Sequence, residues 1–371
     1  MADEAYRLSV SGDTTPVREG ELVDVEALRT WMAAALPTIA AQNARISVRQ
    51  FPAGFSNLTY LVRLETGHGQ FAYVLRRPPR GVKPGVAHDM GREHDILAAL
   101  HPMGVPVPKP VARCDDSTVI GAQFYLMEHV DGVILRGPLP PELVTDADGM
   151  REQLSALSRA FVTTLAGLHA VNVRTEPLRS IGRAGGYVER QVQGWTKRWL
   201  ASRIDSVPDI ERVAAWLEAN RPPDRDVTLV HNDFKFDNLV LDASRTRVRA
   251  ILDWEMATIG DPLMDLGTSL AYWVQADDAP AFRALGLGLT ALPGNATRTE
   301  LVHMYGAATG RDTGNAAYYY AFGLFKVAVI AQQIYARFAR GLTTDARFAR
   351  LADVVVALGA SASIVSRTGR L

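Results

Sequence analysis

The stretch His231-Asn232-Asp233-Phe234-Lys235-Phe236-Asp237-Asn238 constrains this chain more than any other. It lies between two apolar runs, Thr228-Leu229-Val230 and Leu239-Val240-Leu241, and reads H-x-D-x-x-x-x-N. A second acid, Asp253, follows in Ala250-Ile251-Leu252-Asp253-Trp254-Glu255, after a turn at Asp242-Ala243-Ser244. Strands on either side of that turn form a small hairpin with the two acids at its ends, where they can meet in space. Phosphoryl transfer from a nucleotide requires such a set. One carboxylate orients the attacking hydroxyl, and an amide oxygen with another carboxylate holds a divalent cation.

Each residue type suits one of those tasks. Asp233 directly follows an apolar strand, so a rigid element carries it, and its carboxylate can accept the hydrogen bond of a substrate hydroxyl. Asn238 has no proton to give up and offers a neutral oxygen, whereas Asp253 offers a charged one. So sparse an oxygen set suits Mg²⁺, which keeps water and phosphate ligands, better than Ca²⁺. His231 reads as a neutral histidine bracing the loop rather than as a base. Lys235 has two readings, a solvated side chain or a group that approaches the transferred phosphoryl. Zinc is excluded because His and Cys do not occur at ligand spacing. The single cysteine, Cys114, excludes an intramolecular disulfide and reads as a small core thiol.

At 371 residues the chain exceeds one compact core, which predicts two lobes, 1–130 and 131–371, with residues 1–20 a loose or partner-tethered polar leader. In the first lobe, helical spacing over Leu22–Leu36 has Asp24 as its N-cap. Alternation at Leu58, Tyr60, Val62 and Leu64, a turn at 66–69, and Phe71–Arg76 predict a β-hairpin. Glu93, Ile96, Leu97 and Leu100 mark a helix ended by His101-Pro102, and Gln123–Glu128 a further strand. In the second, Leu154–Leu168 carries a four-turn stripe and Ile210–Leu217 a shorter one. Helices are expected around Tyr318–Arg340 and Phe348–Leu358. Forty basic residues balance forty acidic ones, so no global field favours nucleic acid or an anionic membrane. The N-terminus lacks the apolar core of a secretory signal. No run approaches the roughly 18 apolar residues of a membrane span. The richest candidate, Tyr318–Ile334, is broken by Gly323, Lys326 and Gln332-Gln333. A reducing cytoplasm is the expected setting.

The catalytic stretch, the segment Ile251–Glu255 and Gly260-Asp261-Pro262-Leu263-Met264-Asp265-Leu266-Gly267 together resemble, in order and spacing, the aminoglycoside phosphotransferase and choline kinase-like family. The resemblance runs from about residue 25 to 360. Gly54-Phe55-Ser56-Asn57-Leu58-Thr59-Tyr60, Val74–Pro79 and Arg92-Glu93-His94 narrow it to a branch. That branch occurs as the phosphotransferase domain attached to some acyl-CoA dehydrogenases and as free-standing bacterial proteins. It implies an α+β, bilobal protein-kinase-like fold, with an antiparallel sheet in the N-lobe and a larger, mostly helical C-lobe. It implies ATP, Mg²⁺ and a small-molecule hydroxyl acceptor. Asp233 would position the hydroxyl, and Asn238 and Asp253 would hold the metal. Glu93 would pair with the basic residue of the third strand, usually lysine and here Arg76, with Arg77 beside it. Neighbouring strand residues face opposite ways, so only one of the pair can enter the cleft, and Arg76 is the choice. The glycine loop over the phosphates is reduced to Gly54, Ser56 and Asn57, and backbone near Glu128 and Val130 would hold adenine. Asp265 would brace the catalytic loop. Glu255 would touch metal or acceptor, or else be a partly buried acid with a basic partner.

The branch points to a hydroxyacyl thioester or hydroxy acid as acceptor. An aminoglycoside is the alternative within the same chemistry, and a non-catalytic nucleotide-binding pseudokinase the alternative outside it. Between residues 267 and 315, Asp277, Asp278, Glu300 and Asp312 are mixed with Arg283, Arg298, His303 and Arg311. That mixture does not resemble a trap for a polycation.

Overall fold

The computed structural model describes residues 14–37, 44–52, 57–67, 69–79, 88–136, 147–174, 176–183, 185–223, 227–283, 288–343 and 345–371. They belong to two compact units. The first holds the described residues up to Val133 together with Arg249–Met256, and the second holds Ile134–Val248 and Ala257–Leu371. The sequence placed the division at residue 130/131 and gave no sign of the Arg249–Met256 excursion.

In the first unit, β1 (Arg45–Gln50), β2 (Leu58–Thr66), β3 (Gly69–Arg77), β4 (Pro110–Cys114) and β5 (Phe124–Glu128) form one antiparallel sheet in the order β1-β2-β3-β5-β4. The alternation read in β2 buries Tyr60, Val62 and Leu64 completely, with Leu75, Phe124 and Leu126 beside them. Helix α1 (Val25–Ala35) adds Leu28 and Met32 to that core, and Trp31 meets Phe124 edge-on at 4.7 Å. Asp24 caps α1 by accepting the Ala27 N–H. Helix α2 (Met90–Leu100), capped by Asp89, packs on β4 and β5. Strand β4 escaped the sequence reading because its run is proline-rich. It begins at Pro110 on the sheet edge, where a missing N–H costs no ladder bond. The leader is a partial correction. Thr15 exchanges two backbone hydrogen bonds with Gln50 (2.8 and 2.9 Å), and Tyr60 donates to the Glu21 carbonyl, so Thr14 to Glu21 is pinned to the sheet. Residues 1–13 lie outside the described residues.

The second unit is mostly helical: α3 (Ala147–Leu168), α4 (Tyr187–Ser202), α5 (Pro208–Ala219), α6 (Pro262–Tyr272), α7 (Arg298–Thr309), α8 (Ala316–Ala339) and α9 (Leu351–Thr368). Helix α4 was missed in the sequence because polar residues dilute its stripe. Val188, Val192, Trp195 and Trp199 are nonetheless spaced three or four apart and buried. A short ladder, β6 (Thr228–Val230) on β9 (Thr258–Gly260), ends at the catalytic stretch. The strands expected on either side of the Asp242 turn are β7 (Leu239–Leu241) and β8 (Val248–Ile251), and Asp242 N–H donates to the Arg247 carbonyl at 3.0 Å.

Helices α6 and α8 cross with their backbones almost touching. A Cβ on Gly267 would lie 2.1 Å from the Tyr319 carbonyl oxygen, and one on Gly323 would lie 2.1 Å from that of Gly267. Only glycine fits at either position. Helix α9 is longer than the sequence reading made it. Ala346–Thr368 is also long and apolar enough, by length and composition, to cross a membrane, which corrects the expectation that no stretch is. Its buried residues, Val354, Val355, Leu358, Ala362 and Val365, recur at helical spacing, and it packs on α8 and α5 as an amphipathic core helix does.

Candidate active site

In the second unit the catalytic stretch leaves β6 and turns at once. Asn232 takes φ +66°, a left-handed conformation that asparagine tolerates better than most residues. The turn is held by Asp265 on α6, whose two carboxylate oxygens accept the His231 and Asn232 N–H groups, each at 2.7 Å. His169 closes the same carboxylate from behind, with Nε2 at 3.1 Å from Asp265 Oδ2 and Nδ1 at 2.7 Å from the Tyr305 hydroxyl. Burial works against a charge on Asp265, but these donors prevail and hold it below the usual carboxylate range. His231 is wholly buried, and its Nδ1 accepts the Asp233 N–H at 3.2 Å, the geometry of a brace.

The Asp233 carboxylate is thereby presented in a fixed pose. Lys235 Nζ lies 3.0 Å from Oδ1 and 2.9 Å from Oδ2. Asn238 Nδ2 donates to Oδ2 and to the Asp233 carbonyl, both at 2.9 Å. Tyr272, at the end of α6, hydrogen-bonds the same carboxylate, and Lys235 Nζ sits 4.7 Å from its ring centroid. Burial would lower the Lys235 pKa, but Tyr272, Asp233 and Asp237 together raise it, so Lys235 is a firm cation. Lys235 is therefore not the freely solvated side chain of one sequence reading but the partner of Asp233. Because the Asn238 amide nitrogen makes both bonds, its oxygen is left for another partner. Asp237 Oδ1 is buried with no hydrogen bond among the described residues, and burial raises that acid's pKa.

In the first unit Arg76 is the hub. Its Nε is 3.2 Å from Glu93 Oε1, and its Nη2 is 2.9 Å from Asp253 Oδ1 and 3.7 Å from Glu255 Oε2. Arg77 points elsewhere. It is fully buried, donates to the Ile120 and Glu21 carbonyls and lies over the Tyr60 ring. The structure pairs Glu93 with Arg76, the pairing that the resemblance implied. Burial raises the Glu93 pKa, opposed by Arg76. Asp253 has φ +67° and a side chain 30% exposed. Asn57 donates to Glu255 Oε2 at 2.8 Å, and its Oδ1 meets His88 Nδ1 at 2.9 Å. Glu255 is thus a mostly buried acid tied to an amide and a guanidinium. Gly54 and Ser56 lie outside the described residues. At the strand expected to hold adenine, Glu128 donates its N–H to the Lys109 carbonyl at 2.9 Å, and the Val130 N–H carries no hydrogen bond among the described residues.

The oxygens that could hold Mg²⁺ lie in both units, Asp253 in the first and Asn238 in the second. Around Arg76, three carboxylates face one guanidinium, and Arg92 donates to the Glu255 carbonyl at 3.4 Å. Three carboxylates beside one guanidinium suit a hard cation at partly exposed Asp253, and the Asn238 amide oxygen, which makes no hydrogen bond among the described residues, suits one too. The residues fit the group. Sequence reasoning missed Tyr272, His169, Tyr187 and Lys326. Only Lys326 carried a signal, a lysine breaking the apolar run Tyr318–Ile334.

Comparisons with known proteins agree with this chemistry. A family model described as the phosphotransferase enzyme family matches residues 47–301. Acyl-CoA dehydrogenase family member 11 from Gallus gallus is 36% identical over 344 residues, covering 90% of this chain and 42% of that protein. The chain therefore spans less than half the length of this relative. A solved Ralstonia eutropha structure, provisionally named an aminoglycoside phosphotransferase, superposes with TM-score 0.77 at 29% identity, covering 93% of this chain and 99% of that one. Choline kinase from Cryptosporidium parvum shares the fold alone, with TM-score 0.58 at 14% identity over 91% of this chain and 95% of that one. The fold is the α+β, bilobal kinase-like fold that the motifs implied, and the chain belongs to the phosphotransferase enzyme family.

Proposed function

We propose that this protein transfers the terminal phosphoryl group of ATP, with Mg²⁺, to a hydroxyl of a small molecule in the cytoplasm. The observation that carries the reading is the pose of Asp233, a carboxylate held by Lys235, Asn238 and Tyr272 at the end of a braced loop. In the reaction, a bond forms between the acceptor oxygen and the terminal phosphorus, and the bond to the leaving diphosphate oxygen breaks. The acceptor's proton is drawn toward Asp233, which aligns the hydroxyl as the bond forms. The Lys235 ammonium balances charge that develops beside it, and Arg76 offers a bidentate guanidinium to phosphate oxygens. A bound Mg²⁺ would neutralise phosphate charge from Asn238 and Asp253. A pseudokinase has little need of an oriented Asp233 together with a free Asn238 oxygen. The balanced charge gives no basis for a nucleic-acid or membrane partner.

For the acceptor, the likeness to acyl-CoA dehydrogenase family proteins supports a hydroxyacyl thioester or hydroxy acid. The Ralstonia protein's name favours an aminoglycoside as the second reading. The test is ADP release with Mg²⁺ and ATP over a panel of hydroxyacyl thioesters, free hydroxy acids and aminoglycosides. Release with the thioesters or acids, well above the rate with water, is the expected result. Release with aminoglycosides only would install the second reading. A stabilising thermal shift with ATP, about 2.7 kcal/mol at a hundredfold excess over Kd, but no ADP release would install the pseudokinase.

A further inference from the structure

We propose that Lys326, on α8, is a positioning residue for the catalytic loop: its ammonium clamps the Asn232–Asp233 peptide and so fixes the direction of the Asp233 carboxylate. This rests on the reading of Asp233 as the group that aligns the acceptor. Lys326 Nζ donates to the Asn232 carbonyl at 2.7 Å and is 5.6 Å from the Trp195 ring centroid, in a side chain 1% exposed. The N–H of the same peptide, that of Asp233, is held by His231 Nδ1. Both ends of the peptide plane are therefore tied, and Asp233 hangs directly from it. Asn232 is secured on its remaining sides too. Its N–H goes to Asp265 on α6, and its Oδ1 accepts the Tyr187 hydroxyl of α4 at 2.9 Å. Gly260 lets Tyr187 reach it, since a Cβ there would lie 2.6 Å from the Tyr187 ring.

The clamp is only as stiff as α8, and α8 is anchored on the face that carries Lys326. Tyr319 donates to Asp261 Oδ2 at 3.0 Å, and Gly323 packs against the Gly267 backbone. Positions 319, 323 and 326 are spaced four and three apart, one side of a helix. One rigid face thus reaches the cap of α6, the middle of α6 and the catalytic loop.

The chemistry also argues for function over stability. Lys326 lies in a helix whose neighbouring positions are buried and apolar, where a methionine would cost no desolvation. Burial pulls its pKa down to about 8, with Asp233 and Asp265 supporting the charge and Lys235 and Arg198 opposing it. The chain keeps an expensive cation whose one hydrogen-bonded partner among the described residues is the carbonyl preceding Asp233.

The experiment compares the full chain with Lys326→Met and, as a second variant retaining an N–H donor without charge, Lys326→Gln. Three readouts are taken: ADP release with Mg²⁺ and ATP, the melting temperature, and hydrogen exchange at the Asn232 and Asp233 amides. The expected result for Lys326→Met is a kcat lower by about 10- to 100-fold, as a displaced reacting group gives, with KM for ATP within about twofold. Amide exchange at both positions accelerates, and the melting temperature does not fall. Lys326→Gln is expected between the two. Unchanged amide exchange, or a kcat within twofold of the parent, overturns the proposal. So does a loss of kcat that merely follows a loss of melting temperature. If neither variant folds, the parent's kcat must show an alkaline limb near pH 8, and a flat profile there overturns the proposal. If the parent releases no ADP with any acceptor, the functional reading fails, and amide exchange still decides whether Lys326 holds the loop.

Discussion

The two charged clusters of this protein are built on opposite plans. Around Arg76 in the first unit, Glu93, Asp253 and Glu255 share one guanidinium, with Tyr125 and the Trp254 backbone also on Glu93 and Asn57 on Glu255, and Arg76 Nε is buried without a well-aligned hydrogen bond. Around Asp233 and Asp265 in the second, the carboxylates have more donors than they need: Lys235, Asn238 and Tyr272 on one, His169 and two backbone N–H groups on the other. A cluster of three carboxylates around one guanidinium carries net negative charge, which suits a cationic ligand. A saturated one cannot rearrange, which suits a group whose task is direction. The difference teaches where this fold places tolerance and where it places stiffness.

The largest effect is expected from removing the saturated side's keystone. Asp265→Ala leaves two backbone donors and His169 without their acceptor, and should cost about 3–5 kcal/mol of stability, read by urea denaturation, with turnover lost. A variant as stable as the parent would break the contrast. Next comes a pH effect. Lys326 has its folded pKa lowered to about 8, so between that value and the ordinary lysine range the unfolded chain binds the extra proton. Stability contributed through this group therefore rises with pH across that window, by on the order of 2–3 kcal/mol. Lys326→Met should flatten the rise, seen as a difference between the two stability–pH curves. On the Arg76 side, Arg76→Met should weaken ATP binding about tenfold or more, measured calorimetrically. It should lower stability by only about 1–2 kcal/mol, because Glu93, already raised in pKa by burial, can take up a proton instead. A loss as large as that of Asp265→Ala would erase the distinction between the clusters. The smallest effect serves as a control. Asp24→Ala removes an N-cap far along the chain from both clusters and should cost about 1 kcal/mol with turnover unchanged.

The legible part of the molecule was its local patterning. Asp24, the β2 alternation and the α3 stripe each fix an element from neighbours a few residues away, and H-x-D-x-x-x-x-N fixes a loop in the same manner. That Arg76 and Arg77 go to different places was legible too, because adjacent strand residues face opposite ways, whereas which of them meets Glu93 came from the family resemblance. What remained hidden depends on partners far along the chain. Tyr187 reaches Asn232 from 45 residues away and His169 reaches Asp265 from 96, and no periodicity encodes such pairings. Lys326 is intermediate: its place in an apolar helix announced a buried charge, but only the fold names the Asn232 carbonyl as its partner. The edge strand β4 and the polar helix α4 were obscured by composition, proline in one and diluted amphipathicity in the other.

The central claim is that a fixed Asp233 carboxylate aligns an acceptor hydroxyl for phosphoryl transfer. The most direct measurement is ADP release by Asp233→Asn, alongside its thermal shift with ATP and Mg²⁺. The account predicts a kcat lower by about 100-fold or more while the nucleotide still stabilises the variant as it does the parent. A variant that turns over within tenfold of the parent would contradict it.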